Sequence, residues 1–132
     1  MELVFVYGTL KRGLSNSGLL SDSKFLSIGQ TKDKFVMYAA GIPYVSKMFK
    51  HSNISGELYS VSESTLYNLD MLEGHPSWYV REKTAIKFID KNNNIITVDA
   101  WLYFNEHVPN NAQLIESGIY GQKKSRFNTL LY

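Results

Sequence analysis

Glu73 stands seven residues after Leu66 and four after Leu69, so a helix through this stretch sets its carboxylate on the same face as leucines that belong in a core. Burial disfavours the charged form of a carboxylate and raises its pKa, and an acid that titrates near neutral pH can both take and return a proton. The alternative is a residue at a fraying helix end, released by Gly74 and turned to solvent. A second candidate lies near the N-terminus, where Tyr7, Gly8, Thr9, Leu10, Lys11, Arg12 and Gly13 follow a run of strand formers. Such a turn leaves main-chain N–H groups unpaired, and clustered donors suit a carboxylate or a developing oxyanion. Gly8 would let a ligand approach the main chain closely. The same residues also read as a plain strand-to-helix turn. Gly8 and Gly13 have the spacing of a phosphate loop, but Leu14 and Ser15 replace the Lys-Ser or Lys-Thr pair that nucleotide binding needs.

Other polar residues carry weaker signals. Glu57 alternates with Leu58 in a strand-like stretch, which favours a solvated or structural carboxylate over a second catalytic acid. Tyr79 and Arg81 share one face of a following strand and either line a pocket or brace the Glu73 helix. Tyr120 and Arg126 could close a site from the C-terminal side. His51, His75 and His107 lie far apart without ligand-like periodicity, so no metal is expected. Lys123, Lys124 and Arg126 form a short basic run that reads as a solvated surface before it reads as a phosphate-backbone contact.

The elements that must position these residues follow from local pattern. Residues 3–7 form a short run of β-formers ended by Gly8, and Ser15 or Asn16 can cap a short helix carrying Leu19 and Leu20. Residues 24–28, 34–40 and 54–61 look extended, with a bend at Gly41, Ile42 and Pro43. From Ser60 the period changes. Ser60 and Glu63 have capping-box spacing, Leu66, Leu69 and Leu72 recur every three residues, and Gly74 and Pro76 end the helix. Residues 79–89 and 95–104 are two further strands flanking Asp90, Lys91, Asn92, Asn93 and Asn94, a polar turn of the hairpin kind. No repeat or linker divides the chain. These elements predict one α+β domain over residues 1–132, with a mixed, mostly antiparallel, barrel-like sheet and few short helices.

Two blocks of sequence carry a resemblance. Val4-Phe5-Val6 followed by Tyr7-Gly8-Thr9-Leu10-Lys11-Arg12-Gly13 is similar to the opening of the γ-glutamylamine cyclotransferases and their plant AIG2-like relatives. Gly56-Glu57-Leu58-Tyr59, then Leu69-Asp70-Met71-Leu72-Glu73-Gly74, then Pro76 with Tyr79 and Arg81, resembles the segment that holds that family's catalytic glutamate. The resemblance spans about residues 2–104 and fades in the tail. It implies a γ-glutamylcyclotransferase-like fold and a cyclising reaction, in which the α-amino group of a γ-glutamyl unit attacks its own γ-carbonyl and releases 5-oxoproline and an amine. It further implies that Glu73 moves the proton, that Tyr7, Gly8, Thr9, Leu10 and Tyr79 hold the substrate, and that no cofactor takes part.

Composition narrows the classes. The chain has 132 residues, nine Tyr and seven Phe, enough large rings to fill one core, and no cysteine. The missing cysteine removes disulfides and thiol nucleophiles and fits a reducing compartment, so a cytoplasmic protein is expected. A formal charge of +2 is far below that of a dedicated nucleic-acid binder. The N-terminus opens on a strand pattern, and no signal peptide or membrane span is read. The expected partner is a small γ-glutamyl molecule, with neither nucleic acid nor membrane, and the sequence selects no oligomeric state. A metabolite-binding domain without turnover is the alternative, and a single-stranded nucleic-acid binder is a weaker one.

Overall fold

The computed structural model describes residues 1–121 of the 132. Arg126 and the basic run 123–126 lie outside the described residues. Among the described residues seven strands and one α-helix follow one another as β1 Glu2–Val6, β2 Lys24–Ala39, β3 Pro43–Ser46, β4 Ser52–Val61, α1 Glu63–Glu73, β5 Val80–Ile89, β6 Ile95–Phe104 and β7 Gln113–Leu114, with a 3-10 turn at Ser17–Leu20. The strands run in the order β3-β2-β4-β1-β6-β5, and β2 also pairs with β5, which closes the sheet into a barrel-like ring. β1 and β6 are parallel where Val4 meets Trp101, and the other pairings are antiparallel. The architecture is the α+β, mostly antiparallel barrel expected from the pattern.

Strands β3 and β7 were not read from the sequence, the ends of β1, β4 and β5 shift by one or two residues, and three further elements differ for identifiable reasons. The segments 24–28 and 34–40 are parts of one strand, β2, interrupted by irregularities in its pairing with β4. The polar stretch between them stays extended because Gln30 and Thr31 pair with Lys87 and Ile86 of β5, a contact that local composition does not reveal. Helix α1 is capped by Ser62, whose side chain accepts from the Thr65 N–H (3.1 Å), and Ser60 remains in β4. The strand ladder, formed along the whole of β4 up to Val61, outweighs the capping-box spacing at Ser60. The Leu19–Leu20 helix is only a 3-10 turn, and Asn16 at its start makes no side-chain cap.

The core is apolar and falls into two clusters. One cluster gathers Val4, Val6, Leu10, Tyr59, Leu66, Leu69, Tyr79 and Tyr103, and a second gathers Phe5, Met37, Ile54, Leu58, Ile86 and Leu102. Leu69 is fully buried, so α1 is held mainly by packing against the first cluster. Truncating it to alanine would cost about 2–5 kcal/mol. No helix among the described residues is long and apolar enough to cross a membrane.

Candidate active site

The geometry of the helix end places the acid. Gly74 adopts a left-handed conformation (φ 65°), a position that favours glycine, and stops α1 at Glu73. The chain then folds around the stop. Ser77 and Trp78 donate their main-chain N–H groups to the Gly74 carbonyl (2.8 and 2.9 Å), and Tyr79 donates to the Glu73 carbonyl (3.1 Å). A Cβ at position 74 would lie 3.1 Å from the Cβ of Trp78, so the loop packs tightly on its own start. Glu73, Trp78 and Tyr79 are thereby brought together at one end of the barrel.

The turn after β1 supplies the facing wall. Lys11 donates to the Gly8 carbonyl (3.0 Å), and Asn16 donates twice to Thr9, from its main chain (2.9 Å) and from Nδ2 to Oγ1 (2.8 Å). No acceptor among the described residues takes the main-chain N–H of Gly8, Thr9 or Leu10. Pro43 sits against Gly8 so closely that a Cβ there would come within 2.8 Å of its Cγ. Between the turn and the helix end lies a cavity of about 130 Å³, lined by Tyr7, Gly8, Thr9 and Leu10 on one side and by Leu72, Glu73, Trp78 and Tyr79 on the other. Tyr103, Asn16, Ile42 and Pro43, with Phe5 and Val6 of β1, complete it.

Electrostatics separate Glu73 from its neighbours. Its carboxylate takes no hydrogen bond from the described residues, and burial pushes its pKa up to about 7. The tyrosines around it are raised above their ordinary range, Tyr7, Tyr79 and Tyr103 each mainly by burial. Each hydroxyl is also committed. Tyr7 donates to the Tyr103 carbonyl (2.6 Å), Tyr79 to the Pro43 carbonyl (2.6 Å) and Tyr103 to Asp70 Oδ1 (2.7 Å). These rings shape the cavity while Glu73, alone among the described lining residues, has a pKa near 7.

The structure thus gathers Glu73, Tyr7, Gly8, Thr9, Leu10 and Tyr79 around one cavity. Arg81 points away from it and pairs with Asp70 on α1 (Nε to Oδ1, 2.8 Å), so it braces the helix. Tyr120 reaches the carbonyl of Gly41 (3.3 Å), next to the Ile42 and Pro43 wall. Glu57 is buried and bonded to the Arg12 N–H and the Tyr59 hydroxyl, so of the solvated and structural readings the structural one is found. Sequence reasoning missed Tyr103 and Pro43 as lining residues. Both reach the site through strand neighbours distant in sequence, and the only hint was the unusual number of tyrosines.

Comparison with known proteins bears on the family and the fold. The family model described as gamma-glutamyl cyclotransferase, AIG2-like, matches residues 4–122. The chain belongs to this family. It is 46% identical over 121 residues to a provisionally named gamma-glutamylcyclotransferase of Methanocaldococcus jannaschii, covering 91% of this chain and 96% of that one. It is 35% identical over 99 residues to the gamma-glutamylaminecyclotransferase of Rattus norvegicus, covering 68% and 66%. The crystal structure of an AIG2-like protein from Mus musculus superposes with a TM-score of 0.78 at 26% identity, covering 96% of this chain and 92% of that one. The AIG2-like fold is therefore the one described above.

Proposed function

We propose that this protein cleaves a γ-glutamylamine by internal cyclisation. The substrate's α-amino nitrogen forms a bond to its own γ-carbonyl carbon, the bond from that carbon to the amine nitrogen breaks, and 5-oxoproline and a free amine leave. The α-nitrogen gives up two protons in turn as it passes from ammonium to lactam N–H; Glu73 accepts each and hands it to the departing nitrogen, which leaves as an ammonium, so the reaction is balanced without water or cofactor. The main-chain N–H groups of Gly8, Thr9 and Leu10 hold the carboxylate of the glutamyl portion, while Tyr7 and Tyr79 wall it in. Fixing the internal nucleophile against its carbonyl lowers the barrier further by several kcal/mol. The domain doing this comprises residues 1–132, and its place is the cytoplasm.

One observation carries this reading: a sheltered carboxylate with a pKa near 7 shares a small cavity with a turn whose main-chain donors are not taken. The rat relative named for γ-glutamylamines supports the amine as leaving group. The test is incubation with γ-glutamyl-ε-lysine and related amides, following 5-oxoproline by mass, with Glu73→Gln beside the parent. The variant should lose about 10²- to 10⁴-fold in rate. Equal rates would remove Glu73 from the mechanism, and tight binding without turnover in the parent would make the protein a binding domain.

A further inference from the structure

The turn that supplies the main-chain donors is tied down at its far end by an acid that does not line the cavity. Glu57 Oε1 accepts the main-chain N–H of Arg12 (2.9 Å) and the hydroxyl of Tyr59 (3.0 Å), while Oε2 lies 3.6 Å from Arg12 Nε. The Glu57 residue is only 9% exposed, whereas the Arg12 side chain is 61% exposed. The ion pair is therefore weak, and the bond to the main chain is the stronger tie. Tyr59, its hydroxyl pushed up to about 12 by burial and by its bond to Glu57, remains a donor throughout the neutral range.

The strands explain how an acid comes to lie there. Glu57 pairs with Val6, the last residue of β1, directly before the turn. Gly56 lets the two strands close in, since a Cβ at that position would fall 2.3 Å from the Val6 carbonyl oxygen. A carboxylate on this strand can then reach past the end of β1 to the turn's own backbone. At the near end Asn16 holds Thr9, so Glu57 and Asn16 grip the turn from both sides of Leu10.

We propose that Glu57 is a positioning residue for substrate binding: by accepting the Arg12 N–H it holds the 8–12 turn in the shape that aims the donors of Gly8, Thr9 and Leu10 into the cavity. This rests on the cyclotransferase reading of the same cavity. It makes Glu57 a determinant of glutamyl affinity and leaves proton transfer to Glu73. A carboxylate whose bonds are all to the protein itself touches neither substrate nor product.

The test compares Glu57→Ala, Glu57→Gln, Glu57→Asp and Arg12→Ala in the full chain, with unfolding midpoint, 5-oxoproline binding by calorimetry and the kinetics of γ-glutamyl-ε-lysine cleavage. Glutamine keeps an acceptor oxygen at the same reach, and Arg12→Ala keeps the main-chain N–H, so both should bind within about threefold of the parent. Alanine removes the acceptor and aspartate withdraws it by one methylene. Both should weaken 5-oxoproline binding and raise KM by about 10- to 100-fold, with kcat much less affected. Amide exchange at Arg12 should quicken in the same two variants only. Should alanine fail to fold, aspartate against glutamine decides. If the weakened variants lose stability but bind 5-oxoproline as the parent does, or if aspartate and glutamine behave alike, the positioning role is overturned. A parent that neither binds nor releases 5-oxoproline overturns the cyclotransferase reading itself, and this proposal with it.

Discussion

Asp70 and Glu73 lie three residues apart on α1, both partly sheltered from water, and only one of them is satisfied. Burial alone would raise the pKa of Asp70, but the bonds from Arg81 and Tyr103, with the Arg81 charge, outweigh it and hold the carboxyl below its ordinary range. Arg81 grips it with two nitrogens, Nε at 2.8 Å and Nη2 at 3.2 Å. Glu73 has no such company and is left to burial, which carries it to about 7. The lesson is that one short helix keeps side by side an acid held charged at neutral pH and an acid that burial carries to about 7. Depth and hydrogen-bond partners together divide them: Glu73 is the more deeply placed and has no partner, while Asp70 has Arg81 and Tyr103.

The sharpest way to break that division is at Glu73, where glutamine should remove most of the activity, as argued above. A second measurement on the same variant reads the proton directly. Below pH about 4.5, the ordinary value, Glu73 is protonated in folded and unfolded chains alike and contributes nothing to the pH dependence. Between about 4.5 and about 7 the unfolded chain releases the proton that the folded one retains, so native stability falls as pH rises, and the full cost is reached above about 7. The upper bound is about 3 kcal/mol. The unfolding midpoint of the parent, compared with that of Glu73→Gln, should therefore drop by several degrees across this window. A difference that stayed constant from pH 4.5 to 8 would mean the acid is not sheltered. The kcat/KM of the parent should rise with pH through about 7, the acidic limb expected of a base that must be ionised in the free enzyme.

The reverse sign is expected at Asp70. Its pair with Arg81 stabilises the native state above the ordinary carboxylate range, and that contribution is lost as pH falls through the lowered folded value. Asp70→Asn should cost about 1–3 kcal/mol at pH 7 by urea unfolding, because Arg81 loses its counter-charge in a partly buried place. The deficit should shrink in acid, once the parent's carboxyl is protonated too. Since Asp70 does not line the cavity, activity at a temperature where the variant is folded should fall far less than in Glu73→Gln.

Much of this was legible in the sequence, and what was not has a common cause. Strand β6 begins and ends at Ile95 and Phe104 as the pattern indicated, because the turn before it is marked locally: Asp90 Oδ1 accepts from the N–H groups of Asn92 and Asn94, and Asn93 takes a positive φ. Glu73 was visible because helical spacing is local, and Leu66 and Leu69 do face the core. By contrast, strand alternation tells which face a residue takes but never which strand lies beside it. The continuity of β2 depends on β5, the bonding of Glu57 on Arg12 in the turn after β1, and the lining by Tyr103 on a chain segment thirty residues beyond the helix.

Tyr103 joins the two halves of the comparison and gives its finest test. Its ring lines the cavity with Glu73, its hydroxyl serves Asp70, and its carbonyl receives the Tyr7 hydroxyl. Tyr103→Phe keeps the ring and the carbonyl and deletes only the bond to Asp70. The expected outcome is a loss of about 0.5–1.5 kcal/mol in urea unfolding and a change of less than about threefold in kcat, the smallest effect in the series. Arg81 would still hold Asp70 through both nitrogens, so the carboxylate stays charged and the helix stays placed. If the phenylalanine variant instead lost activity on the scale of Glu73→Gln while remaining folded, the hydroxyl would be moving protons as well. Asp70, Tyr103 and Glu73 would then form one relay, and the separation between the locked acid and the exchanging one would not hold.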